Sequence, residues 1–329
     1  AWVGKEDMRW GPGRSGGLLV GGGTEPVTHL GARVHAGTFA TLSAVHGWLS
    51  EAHGQYVAYH RVELNLGKGL RVAIGEGVRY DGPSPDPLYL INLIPYAVVE
   101  RIQSAEGDVL DAERDSLVRS NYIAAADFYW GFSPGWALYG EIMVDDVKDE
   151  AEETPSRLAY QAGAKHVRGG RHTLTLQAEY TRVYNYTYSV YYNRHFVHRE
   201  RILGYPLGAD LADARFWADL DLDIAWSLGL RAHYSKIGEG NRGGAWCPPG
   251  MATDNPYGTD CQTFGDASGR DFAGIPEEAI GFLGSIVYTP RDNWRFEVEA
   301  GVDFVDNADH QDGLDRTRPL GAARATWRW

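Results

Sequence analysis

Alternation of apolar and polar residues dominates this chain and is clearest in WRFEVEAGVDFVD, residues 294–306. The apolar positions recur at every second residue from Trp294 to Phe304, with mostly charged residues between them. Because successive side chains of a β-strand point to opposite faces, this pattern predicts a strand with one apolar and one charged face. Two settings satisfy it. In a soluble sheet the apolar face meets a protein core, and in a transmembrane barrel it meets lipid while the charged face lines the lumen.

Comparable segments recur along the whole chain and predict fourteen strands. The predicted strands are residues 1–10, 27–36, 38–48, 55–66, 69–80, 118–131, 135–146, 157–167, 171–183, 213–226, 229–238, 277–289, 292–305 and 317–329. Their length of about 10–14 residues suits tilted strands that cross a bilayer.

The lengths of the connections separate the two settings. Short turns such as GFSPG at 131–135 alternate with long connections. The long connections are 11–26, 81–117, 184–212 and 239–276. Tight turns at one end and long loops at the other are typical of an up-and-down outer-membrane barrel, with short periplasmic turns and long external loops. We therefore predict one all-β domain over residues 1–329, an antiparallel transmembrane barrel of 14 to 18 strands with an occluded lumen.

On this reading the charged faces line the lumen, where opposite charges pair across strands. The predicted lumenal network is Arg61, Glu63, Glu141, Asp145, Asp219, Asp221, Asp223, Arg295, Glu297, Glu299 and Arg324. The chain ends in ATWRW, a strand-like segment with a terminal aromatic residue, which predicts a periplasmic C-terminus in the bacterial outer membrane.

Composition narrows the class of protein further. The net charge of −13 argues against nucleic-acid binding, which needs a basic surface. No apolar run reaches the roughly 18 residues of a transmembrane helix. The chain opens inside a strand-like segment, as a mature or truncated form would. Cys247 and Cys261 share one loop and predict a disulfide in an oxidising compartment.

The densest aromatic segment, residues 183–205, falls in a predicted external loop. Aromatic rings stack on sugar faces and guanidinium groups bind hydroxyls and carboxylates, so one interpretation is a polysaccharide-binding surface. The other is a strand extension with interfacial tyrosines. The predicted ligand residues are Tyr186, Tyr188, Tyr191, Tyr192, Arg194, Arg199 and Arg201.

Other motifs predict less. His195 and His198 would need a further ligand to hold a metal, and solvated loop histidines are the simpler interpretation. The row Asp219, Asp221 and Asp223 fits a Ca²⁺ site less well than a lumenal ion-pair row. No catalytic motif, metal site or cofactor site is recognised, although an outer-membrane hydrolase could draw its residues from separate strands.

Three segments resemble the bacterial capsule-assembly Wzi family: KEDMRWGPGRSGGLLV at 5–20, YHRVELNL at 59–66 and LYGEIMVDD at 138–146. The resemblance implies a monomeric outer-membrane barrel that acts as a lectin for exported polysaccharide, with more strands than fourteen. The motif carries over to Arg9, Trp10, Gly11, Pro12, Gly13, Arg61, Glu63, Glu141, Asp145 and Asp146.

The expected function is therefore non-catalytic binding or anchoring of surface polysaccharide, with outer-membrane lipid and the glycan as partners and a monomer as the favoured state. A general or substrate-selective porin is the first alternative, and an outer-membrane hydrolase is the second.

Overall fold

The computed structural model describes residues 1–50, 54–90, 94–105, 120–146, 157–190, 195–240, 271–291 and 293–327. The strands are β1 Trp2–Glu6, β2 Val27–Ala36, β3 Ala40–Ser50, β4 Gln55–Gly67, β5 Leu70–Asp81, β6 Asn121–Ser133, β7 Trp136–Asp146, β8 Arg157–Arg168, β9 Thr173–Val183, β10 Val197–His198, β11 Arg201–Ile202, β12 Leu211–Asp221, β13 Trp226–Ile237, β14 Glu277–Arg291, β15 Trp294–Asp306 and β16 Arg316–Trp327. The helices are α1 Pro87–Leu90 and α2 Tyr96–Ala105, and a 3₁₀ turn covers Ala308–His310.

Fourteen of these strands form one antiparallel sheet in chain order, and β10 and β11 form a separate small hairpin. Each of the fourteen predicted segments overlaps one strand of the large sheet, so the prediction of an up-and-down all-β fold is confirmed. None of the helices in the described ranges is long and apolar enough to cross a membrane.

Two predicted segments extend past the strand that they overlap. The first, 1–10, does so because β1 ends at Glu6 and residues 7–10 belong to the connection that follows. The alternation from residue 213 to residue 226 suggested a continuous strand, but β12 ends at Asp221 and residues 222–225 form the turn to β13. The Asp223 carboxylate accepts hydrogen bonds from the amides of Ala225 and Trp226, both at 2.8 Å. An aspartate that binds the backbone two or three residues ahead stabilises a turn, which outweighs the apolar alternation here.

The connections fall at two ends of the sheet. At one end, named the short-turn end, the connections are residues 37–39, 68–69, 134–135, 169–172, 222–225 and 292–293. At the other, named the long-loop end, they are residues 7–26, 51–54, 82–120, 147–156, 184–210, 238–276 and 307–315. Because the sheet is antiparallel and in chain order, every long connection begins and ends at the same rim.

The two faces of the sheet differ as the alternation predicts. Trp294, Phe296 and Val298 are 39%, 40% and 56% exposed, so no second layer covers their face of β15. The same outer face carries many more exposed apolar side chains, among them Val34, Ile74, Phe128, Ile142, Phe216, Leu230, Phe282 and Ile286. A continuous apolar face of this extent is what a lipid-facing barrel wall requires.

One part of the outer face is covered by protein. Tyr56, Val78 and Tyr80 belong to the outer-facing rows of β4 and β5, yet each is 5% exposed or less because Tyr89 of α1 and Tyr96 of α2 pack over them. Beneath the helix, Glu76 accepts a hydrogen bond from the Tyr96 amide at 2.7 Å. Sequence periodicity alone could not show this covering segment, because it depends on a loop folding back onto the wall.

Candidate functional site

The inner face of the sheet surrounds the connection between β1 and β2, residues 7–26, here named the inner plug. Leu18, Leu19 and Val20 of the plug are buried, at 0%, 2% and 3% exposure, in the main apolar cluster of the molecule. Tyr59 from β4 and Phe196 belong to the same cluster. The plug therefore fills the interior between opposite parts of the sheet.

Glu179 of β9 is the strongest anchor of the plug. Its carboxylate accepts hydrogen bonds from the amides of Arg14 at 2.7 Å and Ser15 at 3.0 Å, and from the Ser15 hydroxyl. On its wall side it accepts a bond from the Tyr139 hydroxyl at 2.7 Å. Because a charged acceptor shared by several donors holds each of them firmly, Glu179 fixes the turn at residues 14–15.

Two further carboxylates hold the plug to other strands. Glu141 of β7 accepts a hydrogen bond from the Leu19 amide at 3.2 Å. Asp219 of β12 accepts one from the Arg14 guanidinium at 2.7 Å. The plug is thus bonded to β7, β9 and β12, so it crosses the interior rather than lying along one strand.

The glycines of the plug permit this close docking. A Cβ at Gly13 would lie 1.7 Å from Gln161 Oε1, and one at Gly21 would lie 1.6 Å from the Gly204 carbonyl oxygen. Real side-chain carbons cannot approach other atoms so closely, so larger residues would push the plug away from the wall. The RWGPGRSGG sequence therefore serves packing inside the barrel.

The connection between β9 and β12, residues 184–210, forms the cap of the plug and is named the cap loop. Tyr188 is fully buried; its hydroxyl donates to the Leu18 carbonyl at 2.7 Å and accepts from the Tyr205 amide at 3.1 Å. Burial raises the pKa of the Tyr188 phenol well above its usual value, so the group remains a neutral donor. Plug and cap loop are consequently one interlocked unit.

The exposed part of this unit is a small surface at the long-loop end. The β10–β11 hairpin ends in a turn at Arg199 and Glu200, both with positive φ. The Arg199 side chain is 65% exposed and forms an ion pair with Glu25, and Arg201 donates to the Gly23 carbonyl at 3.0 Å. We name Gly23, Glu25, Arg199, Glu200 and Arg201 the rim surface.

The structure divides the predicted ligand residues into three groups. Arg199 and Arg201 lie on the rim surface. Tyr186 and Tyr188 are 5% and 0% exposed, so their rings are not accessible for stacking on a ligand from outside. Tyr191, Tyr192 and Arg194 lie outside the described residues, as do Cys247 and Cys261 with their predicted disulfide.

Part of the predicted lumenal network consists of ion pairs within the wall. Arg61 binds both oxygens of Asp127, with Nη2 at 2.9 Å from Oδ1, and lies 3.5 Å from Glu63. Arg231 lies 3.1 Å from Glu299. The Arg61–Asp127 pair joins β4 to β6 and the Arg231–Glu299 pair joins β13 to β15, so each spans one intervening strand and offsets charge on the inner face.

Other members of the predicted lumenal network hold a loop or lie outside these ion pairs. Asp145 accepts the Tyr188 amide at 2.7 Å and lies 3.6 Å from Arg157, so it holds the cap loop. The exposed Arg295 lies 3.4 Å from the half-buried Glu297, and Asp221 binds the Ser227 hydroxyl at 2.7 Å. Arg324 is exposed opposite Glu297 in the β15–β16 register.

The aspartate row on β12 does not converge on a cation. Asp219 binds the plug, Asp221 binds Ser227 and Asp223 binds the turn backbone. Within the described ranges, no group of three or more His, Cys, Asp or Glu residues is placed to hold a metal ion.

The two cap-loop histidines are packing residues in this arrangement. His195 is 8% exposed, and its Nδ1 accepts a hydrogen bond from the Val190 amide at 3.2 Å. Burial, with a contribution from Arg79, lowers the pKa of His195 to about 4, so the ring is neutral at pH 7. Burial likewise lowers the pKa of His198.

Sequence reasoning missed several residues that define the interior. Glu179 and Gln161 were assigned no role, and Tyr205 was counted only within the aromatic segment, although each contacts the plug or its anchors. Their only sequence signal was their position on the polar face of a strand or in an aromatic loop. These residues are important because they contact a segment that is distant in the sequence. Alternation within one strand does not encode such contacts.

No protein-family model matches the chain, and no curated protein matches it. Among solved structures, it resembles Wzi of Escherichia coli, a carbohydrate-binding β-barrel of the outer membrane involved in group 1 capsule assembly, with a TM-score of 0.64 and 14% sequence identity. The similarity covers 98% of this chain and 66% of the Wzi chain.

Weaker similarities include a bacterial polysaccharide outer-membrane secretin, with a TM-score of 0.42, 9% identity and coverage of 94% of this chain and 83% of that one. OprD of Pseudomonas aeruginosa has a TM-score of 0.46, 11% identity and coverage of 96% and 75%. The similarity to Wzi shows that the chain has the outer-membrane β-barrel fold, and the other two structures match it less well.

Proposed function

We propose that this protein is an outer-membrane barrel that binds surface polysaccharide at its long-loop end without chemical turnover. The observation that carries the proposal is the inner plug, which is bonded to β7, β9 and β12 across the interior. A barrel whose inner wall binds a plug is suited to presenting a fixed external surface. The long-loop end is then external, the short-turn end and the C-terminus are periplasmic, and the monomer is the expected state.

The rim surface supplies the contacts for a glycan. Arg199 and Arg201 are exposed guanidinium groups held on a rigid hairpin, and such groups bind sugar carboxylates and hydroxyls in a fixed orientation. The similarity to Wzi, which is itself described as carbohydrate-binding, favours this class of ligand over a protein partner.

The test is retention of a fluorescent acidic capsular polysaccharide by acapsular cells that express the protein. Wild-type cells should retain the glycan, and Arg199→Ala with Arg201→Ala should lower retention about tenfold, since each substitution removes one charge-assisted contact. Arg316→Ala is the matched control, because Arg316 is also an exposed arginine at the long-loop end, paired with Asp309. Equal retention by all variants would contradict the assignment to the rim surface.

A porin is the second candidate, favoured only by the general barrel fold. Planar-bilayer recordings separate the two functions. The plugged interior predicts no large steady conductance, whereas a stable conductance from the purified wild-type protein would favour the porin.

A further inference from the structure

Below the inner plug, at the short-turn end, the barrel interior holds a polar cavity of about 510 Å³. Its lining includes Arg9, Arg14, Tyr129, Lys165, Thr175 and Asp219. The plug forms its roof, and inner-facing residues from the ends of β6, β7, β8, β9 and β12 that lie beside the short turns form its wall. The cavity is therefore on the opposite side of the plug from the rim surface.

The charge of this cavity is opposite to that of the chain. Its lining contains three cations, Arg9, Arg14 and Lys165, and one carboxylate, Asp219, which is a net charge of +2 in a protein of net charge −13. Arg14 is already bound to Asp219. Arg9 and Lys165 have no side-chain hydrogen bond or ion pair with any residue in the described part of the chain. Two uncompensated cations that face one cavity favour an anionic ligand.

The cavity is larger than a simple anion requires, and its lining contains neutral polar and aromatic groups as well as cations. Its volume lies in the range of small-molecule sites, about 300–1,000 Å³. Besides the cations, Thr175 offers a hydroxyl and Tyr129 a partly exposed aromatic ring. A carboxylate-bearing sugar matches this set, because its acid group pairs with the cations and its hydroxyls meet the neutral polar groups.

The walls of the cavity are held in place before any ligand arrives. Tyr139 donates to Glu179 at 2.7 Å and accepts from Gln177 at 2.6 Å, and its ring lies directly over Gly163. The roof of the cavity packs closely against the wall at Gly13, where an added Cβ would collide with Gln161. A preorganised site loses less conformational entropy on binding.

We propose that this cavity is a second glycan site, which binds a carboxylate-bearing sugar unit from the short-turn, periplasmic side of the barrel. The proposal rests on the proposed function for its class of ligand and for its orientation, but not on the rim surface.

The test is calorimetric titration, in detergent, of the purified full chain carrying Arg199→Ala and Arg201→Ala, which removes the two rim-surface arginines. The ligands are digalacturonate, its neutral counterpart digalactose, and inorganic phosphate. Digalacturonate should bind more tightly than either of the others. Lys165→Gln should weaken digalacturonate about tenfold, and the double variant with Arg9→Gln should weaken it further, because each removes a charge-assisted contact. Lys68→Gln is the control, an exposed lysine at the same end outside the cavity, and it should leave affinity unchanged.

Three results would overturn the site: no binding of digalacturonate, equal weakening by the Lys165 and Lys68 variants, or phosphate bound as tightly as digalacturonate. Heat-modifiable gel mobility shows that each variant is folded. The cell-surface assay separates the two proposals. If Lys165→Gln lowers digalacturonate binding while no variant affects surface retention, the rim surface is wrong and the cavity stands; the reverse outcome rejects the cavity alone.

Discussion

The Arg14 amide donates a hydrogen bond of 2.7 Å to Glu179 across 165 positions of the sequence. This bond joins the first connection of the sheet to the wall strand β9. Because of this bond, the connection between β1 and β2 is held inside the barrel as a plug and does not stay at the rim.

Glu179→Ala should release the plug. The change leaves the Arg14 and Ser15 amides without their acceptor, which costs about 3 kcal/mol for bonds to a charged group. The folded, heat-modifiable form should be lost at a lower temperature, and brief conductance events should appear in planar bilayers. Asp221→Ala is the control, because exposed Asp221 binds the Ser227 hydroxyl and, among the described residues, forms no hydrogen bond or ion pair with the plug. Equal behaviour of the two variants would mean that Glu179 does not retain the plug.

Gly13→Ala tests the close docking of the plug. The added methyl group would lie 1.7 Å from Gln161 Oε1 and 2.7 Å from the Gly16 carbonyl oxygen, so both the Gln161 side chain and the plug backbone must shift, at a cost of about 1–3 kcal/mol. Gly169→Ala is the matched substitution, since no atom lies within 4 Å of a Cβ there. Thermal loss of the folded gel band should shift for the first variant only. An unshifted Gly13→Ala would place the plug farther from the wall.

Glu76→Ala should detach α2 from the outer wall. Glu76 accepts bonds from the Tyr96 amide at 2.7 Å and the Tyr122 hydroxyl at 3.1 Å, and lies 3.0 Å from His60 Nε2. Without them, proteolytic cleavage between residues 87 and 105 should accelerate about tenfold, because local opening becomes easier.

The control for this change is Glu278→Ala. Glu278 is another outer-face carboxylate, bound to Tyr234 and Lys236 rather than to a helix. Its variant should be cleaved between residues 87 and 105 at the wild-type rate. A shared acceleration would show general loosening rather than release of α2.

The cap loop should loosen as pH falls. The folded pKa of His195, about 4, lies below the usual value of 6.5. Above pH 6.5 both the closed and open loop carry neutral His195; between 6.5 and 4 only the open loop takes the proton, which favours opening by at most about 3 kcal/mol. Hydrogen exchange in the described parts of residues 184–210, corrected for intrinsic rates, should therefore be faster at pH 5 than at pH 7.5.

His195→Gln should abolish most of this pH dependence, because glutamine does not titrate. His172→Gln should keep it, since His172 is exposed at the short-turn end. If the wild-type cap loop exchanges equally at both pH values, protonation of His195 is not coupled to its opening.

The sequence predicted the strands well because alternation is a local property of the chain. The outward face of β15 and the inward Glu299 both follow from period-two counting. The site was predicted less completely. Tyr188 belongs to an aromatic segment that suggested ligand stacking, yet its hydroxyl is bound to Leu18, 170 positions away.

The same limit applies to the outer wall. Glu76 is a carboxylate in an outer-facing row, and alternation alone would place it against lipid. The structure covers it with Tyr96 of a loop helix. Contacts between distant segments decide both cases, and a single sequence does not display them.

The central claim is that the apolar outer face meets acyl chains. Val298→Arg and Ile224→Arg test it as a pair, because both replace exposed aliphatic side chains, at 56% and 101% exposure. Val298 lies in the middle of β15, whereas Ile224 lies in a turn at the short-turn end. Arginine costs about 2–4 kcal/mol at the membrane midplane and little in water. The measurement is the fraction of protein recovered folded and heat-modifiable from outer-membrane fractions: it should fall sharply for Val298→Arg and stay at the wild-type level for Ile224→Arg, and wild-type recovery of both variants would contradict a lipid-facing wall.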